Sequence, residues 1–236
     1  VRDLCDVHGV FLIADEIAVG FGRSGTMFAC EQADVRADFL LLGKGLTGGV
    51  LPLAAVLTTN AVFEQFYAPH AALKAFLHSH SFTANPLACA AGLATLDTYA
   101  EEGLLTRAAQ MAPVFEQALH SMRGLPNVID VRNIGLVGGI ELQPIAGQPG
   151  KRAFDAFLAC WEKGVLIRTT GDTVAMSPPL IIERGQIDQL VETLRGALRR
   201  PTPRPSGPSS STTRRARTTT RQPTSRACCA ASTPTT

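Results

Sequence analysis

The chain has 236 residues, 45% of them hydrophobic, enough for one large domain or a domain with a smaller partner. Its formal charge of +2 is set by the end: residues 201–236 hold six arginines and no acid, and without them 16 bases face 20 acids, which argues against nucleic-acid binding by the folded part. No window reaches the ~18 uninterrupted apolar residues of a membrane helix, and six cysteines without a C-x-x-C spacing or clustered histidines argue against structural zinc and suit free thiols in a reducing cytoplasm.

In chain order, no signal peptide or initiator Met comes first. "VRDLCDVHGV" reads as the last turns of a helix with Gly9 as C-cap, so the sequence is expected to start inside a domain. Residues 10–15, "VFLIAD", form a continuous apolar run suited to a parallel strand covered on both faces. Two further runs, 39–44 and 51–59, follow glycine-rich breaks. Residues 60–67 predict a short helix capped by Asn60. After a loop with His78 and His80, Asn85 caps the next helix, Pro86 takes its first position and Gly103 stops it, with small residues at 88–94 for close packing. The helical pattern resumes over 104–123. From about 125 the texture becomes α+β: strands at "NVIDVRNIG" and "GGIELQP", a helix near 151–163, strands at "GVLIR" and "TVAMS", and a last helix at 184–199. Beyond Arg200 there is no Leu, Ile, Val, Phe, Met, Tyr or Trp, so that segment is expected to be disordered, or an out-of-frame tail.

Asp15 ends the first strand, and an acid there points into the crevice where α/β proteins bind ligands. Alone it is more often a solvated loop residue. Four apolar residues before Asp15-Glu16 also resemble the magnesium-binding strand of a P-loop ATPase. That reading needs G-x-x-x-x-G-K-[ST], and the only Gly-Lys pair, "LLLGKGLTGG", has Asp38 where the first glycine belongs. Lys44 follows the second run as Asp15 follows the first. Alone it is an ordinary surface lysine. Together, an amine and a carboxylate at neighbouring strand ends are what pyridoxal 5′-phosphate (PLP) requires, one to bind its aldehyde and one to keep its ring nitrogen protonated.

The stretch "LIADEIAVGFGRSGTMFACEQADVRADFLLLGKGLTGG" resembles the signature of the class III PLP-dependent aminotransferases in its D-E pair, G-F-G-R, later Asp before an apolar run, and G-K with G-G. The resemblance implies a PLP-dependent transferase type I fold, an α/β large domain (here partial, 1–110) with an α+β small domain (111–200). It also implies a cytoplasmic homodimer with its active sites at the interface. By it, Asp15 binds the pyridinium nitrogen and Lys44 is the Schiff-base lysine. "HSHSFTANPLACAAG" fits the same family, with Ser81 contacting the cofactor phosphate of the neighbouring subunit; a metal site at the two histidines lacks a third ligand. Arg168 of "GVLIRTTGD" becomes the fork for a substrate carboxylate. Arg23 resembles an arginine near the substrate's distal end, with a packing or ion-pair role equally open.

Within that family two groups are matched. Residues 1–98 most resemble the adenosylmethionine–8-amino-7-oxononanoate aminotransferases of biotin synthesis. Residues from about 112 to 195 look more like the ω-amino acid–pyruvate group, and Ala175 and Leu180 stand where the biotin enzymes usually carry aromatics. The first group is the expected one. The family's N-terminal half is missing from this sequence, so these 236 residues alone are expected to be inactive.

Overall fold

The computed structural model describes residues 1–79 and 81–199; His80 and the tail expected to be disordered or out of frame lie outside them. Helix α1 (Arg2–His8) ends where Gly9 turns left-handed at φ +62°, as expected, with the Gly9 and Val10 N–H groups closing on the Asp6 and Cys5 carbonyls. Strand β1 (Ile13–Asp15) then lies parallel to β2 (Phe39–Leu42), with Asp15 opposite Leu41. Strand β3 (Ala55–Thr58) runs antiparallel along the other side of β2.

β1 is shorter and barer than the sequence predicts. Only the last three residues of the apolar run pair, and Phe11 and Ile13 are 67% and 59% exposed. In the order β1-β2-β3 this is an outer strand, and among the described residues little packs over Phe11 and Ile13. Asp38 ties the edge down: its Oδ2 accepts the Leu12 N–H and an Arg2 Nη1 donor, each at 2.8 Å. Those partners, the Leu12 N–H foremost, hold the Asp38 carboxyl below the usual carboxylate range. A depressed folded pKa means the stabilisation is complete above the unfolded value, about 3.9, and is lost as pH falls through the lowered one. The protection factor of the Leu12 amide should hold from neutral pH to about pH 4 and drop below it. Asp38→Ala should lower it at neutral pH and leave it equal to the unsubstituted protein once the carboxyl is protonated; protection that is flat with pH in the unsubstituted protein would contradict this role of Asp38.

Helix α2 (Asn60–Phe63) is one turn long and is capped by Thr59, not by Asn60. Thr59 leaves β3 in an extended conformation, so the turn starts one residue earlier than expected. Helix α3 (Pro86–Glu101) begins as predicted: Asn85 Oδ1 accepts the Leu87 N–H at 3.0 Å and Pro86 takes the first position. Gly103, at φ +60°, separates it from α4 (Leu104–His120).

Beyond α4, β4 (Val128–Ile134), β5 (Val137–Leu142), β6 (Arg168–Thr170) and β7 (Thr173–Met176) form an antiparallel sheet in the order β4-β5-β7-β6. Helices α5 (Lys151–Trp161) and α6 (Arg184–Leu198) pack with α4 around it. Every member of the main buried cluster lies between Ala108 and Leu198, with Phe115, Leu119, Ile140, Val174, Ile187 and Leu194 fully inaccessible. The α+β texture expected after residue 125 therefore carries the principal core. No helix among the described residues is long and apolar enough to cross a membrane.

Candidate functional site

The parallel pairing of β1 and β2 puts the two strand ends side by side. Glu16 continues the pairing by donating its N–H to the Leu41 carbonyl at 3.0 Å, and Lys44 follows Leu41 by three residues. Asp15 and Glu16 are adjacent acids with opposite fates, because successive strand residues face opposite sides. Glu16 is 2% exposed and spends both carboxylate oxygens on the Ala29 and Cys30 N–H groups, at 2.9 and 2.8 Å. It folds the following loop back on itself. Burial, and the Glu16 carboxylate beside it, push the Cys30 thiol up, which keeps it protonated. Asp15 is exposed. Its Oδ1 accepts the Ile17 N–H at 3.0 Å and its other oxygen carries no hydrogen bond.

Lys44 is exposed at the start of a short 3-10 turn, 44–47, and its amine makes neither a hydrogen bond nor an ion pair. Its backbone sits at φ +40°, a conformation that costs a side-chain-bearing residue about 1–2 kcal/mol. The neighbouring loop holds it there. Phe21, 3% exposed, presses its ring against Gly45, so closely that a Cβ on Gly45 would stand 2.8–3.0 Å from Phe21 atoms. Tyr99 of α3 fixes Phe21 in turn, its hydroxyl donating to the Phe21 carbonyl at 2.8 Å. α3 also packs on the 44–47 turn, with Gly92 against the Leu46 carbonyl and the Leu53 side chain. The G-F-G-R and G-K-G stretches thus meet in space: one supplies the ring and the other the glycine without which it would not fit.

Ser81 is exposed in the turn that leads into α3. The structure records no contact between it and Asp15 or Lys44, and its expected partner, a neighbouring subunit's phosphate, is outside this single chain. Arg168 is exposed and opens β6, where the sequence reading had it close a strand. It pairs with Ala175 and lines a cavity of about 1090 Å³ together with Phe154, Phe157, Ile167, Met176 and Pro178. Of the two positions that depart from the biotin group, Ala175 faces this cavity, whereas Leu180 packs towards Gly22 and the main core.

Arg23 packs against two carbonyls. Its Nη1 donates to the Leu136 carbonyl at 3.2 Å and, more closely, to that of Pro178, while its own carbonyl accepts the Leu136 N–H at 2.9 Å. Burial lowers its pKa, and no carboxylate among the described residues pairs with it. Sequence reasoning missed Glu16, Phe21 and Tyr99. The D-E pair and the G-F-G-R stretch drew attention to the first two, but nothing in the sequence ties Tyr99 to a carbonyl 78 residues away.

Comparison with known proteins bears on these residues together. The family model for Aminotransferase class-III matches residues 1–198. An omega-aminotransferase of Caulobacter vibrioides is 45% identical over 198 residues, 84% of this chain and 45% of the relative. An adenosylmethionine-8-amino-7-oxononanoate aminotransferase of Nitratidesulfovibrio vulgaris is 43% identical over 206 residues, 84% of this chain and 38% of the relative. Among solved structures, an adenosylmethionine-8-amino-7-oxononanoate aminotransferase from Methanocaldococcus jannaschii superposes with a TM-score of 0.78 at 36% identity, over 84% of this chain and 48% of the other. The chain spans less than half the length of these relatives.

Proposed function

Because this chain belongs to the class III aminotransferase family, we propose that the complete protein transfers an amino group between two small molecules with PLP as its cofactor. The observation that carries the proposal is the pair at the parallel strand ends: an unpartnered amine at Lys44 and a half-free carboxylate at Asp15. The donor set fits PLP in kind. Lys44 would hold the cofactor through its aldehyde, Asp15 through the pyridine nitrogen, and Ser81 would meet the phosphate bound by the partner in a homodimer. When bound, PLP supplies an electron-accepting ring that carries the amino group from donor to acceptor. Asp15 would keep a proton on the ring nitrogen. The Lys44 amine would take the proton from the donor's amine-bearing carbon as general base and give it back as general acid. Arg168, at the cavity wall, would bind a substrate carboxylate with its planar fork.

For the substrate pair we propose S-adenosylmethionine as donor and 8-amino-7-oxononanoate as acceptor, giving 7,8-diaminononanoate. Support comes from the motif resemblance over residues 1–98 and from relatives carrying that name in Nitratidesulfovibrio vulgaris and, at 42% identity, Aquifex aeolicus. A second reading, an ω-amino acid such as β-alanine with pyruvate, is favoured by the small side chain of Ala175 at the cavity wall and by the Caulobacter relative. The complete protein, loaded with PLP and given each pair in turn, should form 7,8-diaminononanoate. Turnover of β-alanine with pyruvate alone would overturn the biotin pair and leave the transaminase reading standing.

A further inference from the structure

The Gly20–Gly25 loop does more than support Lys44. Through Arg23 it also reaches across to the sheet that carries Arg168, bonding to residues 113 and 155 positions away in sequence. We propose that Arg23 is a positioning residue: by donating to the Leu136 and Pro178 carbonyls it fixes the wall of the Arg168 cavity relative to the loop that follows Asp15. The proposal rests on the reading of Arg168 as the substrate-carboxylate site.

Pro178 lines the cavity with Arg168, and the segment from Ser177 to Ile182 belongs to no helix or strand, so it keeps its place only through what it touches. Two arginines touch it from different elements. Arg23 donates to Pro178 at one end, and Arg107 of α4 donates to the Ile181 and Ile182 carbonyls, at 2.7 and 3.3 Å, at the other. The second anchor of Arg23 is equally constrained. Gly135, beside Leu136, lies so close to the loop that a Cβ would stand 2.2 Å from the Ser24 carbonyl carbon. A half-buried guanidinium whose bonds go to neutral carbonyls gains no ion-pair energy there; what it supplies is a rigid plane with donors aimed at two carbonyls. Misplacing a binding group by about 1 Å suffices to lower activity by up to about 10²-fold, so a clasp of this kind matters for the cofactor half and the substrate half of one site.

The test uses Arg23→Gln in the complete, PLP-loaded protein, with two readouts. Amide exchange in peptides covering 134–138 and 176–182 should rise by about tenfold while α5 is unchanged. KM for the carboxylate-bearing donor the protein turns over, S-adenosylmethionine or β-alanine, should rise by about tenfold, and KM for 1-phenylethylamine, which carries none, should stay within about twofold. Exchange at the unsubstituted level would overturn the proposal, even with an altered KM, because a direct substrate contact would act without loosening the wall. Raised exchange with equal changes for both donors would overturn it too, since the wall would then not serve Arg168. Arg23→Lys keeps the charge without the guanidinium plane and decides the question if Arg23→Gln does not fold: raised exchange in 176–182 supports the proposal and unchanged exchange refutes it. An unsubstituted protein that turns over none of these donors, S-adenosylmethionine included, fails the transaminase reading alone, and the exchange data still judge Arg23.

Discussion

Lys44→Ala in the complete protein is expected to abolish the visible absorbance of bound PLP and to lower turnover by at least about three orders of magnitude, since one side chain both holds the cofactor and moves the proton. The fold should survive. The Lys44 side chain makes no hydrogen bond or ion pair among the described residues, and alanine meets the same backbone conformation at φ +40° that lysine already tolerates. Far-UV circular dichroism and the melting temperature should therefore match those of the unsubstituted protein compared without PLP. A variant that kept absorbance and turnover would refute the role of Lys44. One that lost both by unfolding would contradict the description of its side chain as structurally idle.

Gly135→Ala is expected to have the largest effect on stability. At φ +52° an alanine pays the left-handed backbone cost, and its Cβ would stand 2.2–2.6 Å from the Ser24 carbonyl and the Gly25 nitrogen, which are backbone atoms with no rotamer to yield. The combined cost is about 2–5 kcal/mol, which lowers the melting temperature by roughly 10 °C in a domain of this size. Gly124→Ala is the control. Gly124 is also left-handed, at φ +79°, but has nothing within 4 Å of its Cβ position, so only the backbone cost of about 1 kcal/mol applies. Thermal melts that rank the two variants equally would show that the contact between the Gly-rich loop and the β4–β5 turn is slack.

What the sequence made legible is what neighbours in sequence decide. The Gly9 cap, the Asn85-Pro86 helix start and the Gly103 break follow from short-range chemistry and stand where expected. The strands leading to Asp15 and Lys44 exist, though both are shorter than the apolar runs. Strand burial was not legible. The run from Val10 has the composition of a covered strand, but whether it is covered depends on what lies against it, and this chain, which spans less than half the length of its relatives, leaves Phe11 and Ile13 exposed. The N-cap position of α2 is Thr59 and not Asn60: Thr59 is still extended, and its carbonyl, not a side chain, accepts the first N–H groups of the turn.

The role of Arg23 shows the same limit at longer range. A glycine-rich motif announces that a loop must approach something closely, but not whether its arginine meets a substrate or two carbonyls more than a hundred residues on. Glu16 illustrates the converse. It looked like a companion to Asp15, yet strand alternation sends it inward, where two backbone N–H groups consume it. Asp15 and Lys44 drew notice for their residue types, and the parallel register of β1 and β2 explains why they occupy one end of the sheet.

The account stands or falls on which lysine takes the cofactor. The described residues contain four, Lys44, Lys74, Lys151 and Lys163, and Lys151 is already committed to Asp155 by an ion pair at 2.8 Å. The complete protein should be incubated with PLP, reduced with borohydride, digested, and its peptides weighed. A single stable adduct on the peptide containing Lys44 is the predicted result; an adduct on any other lysine of the complete protein, with Lys44 unmodified, would contradict it.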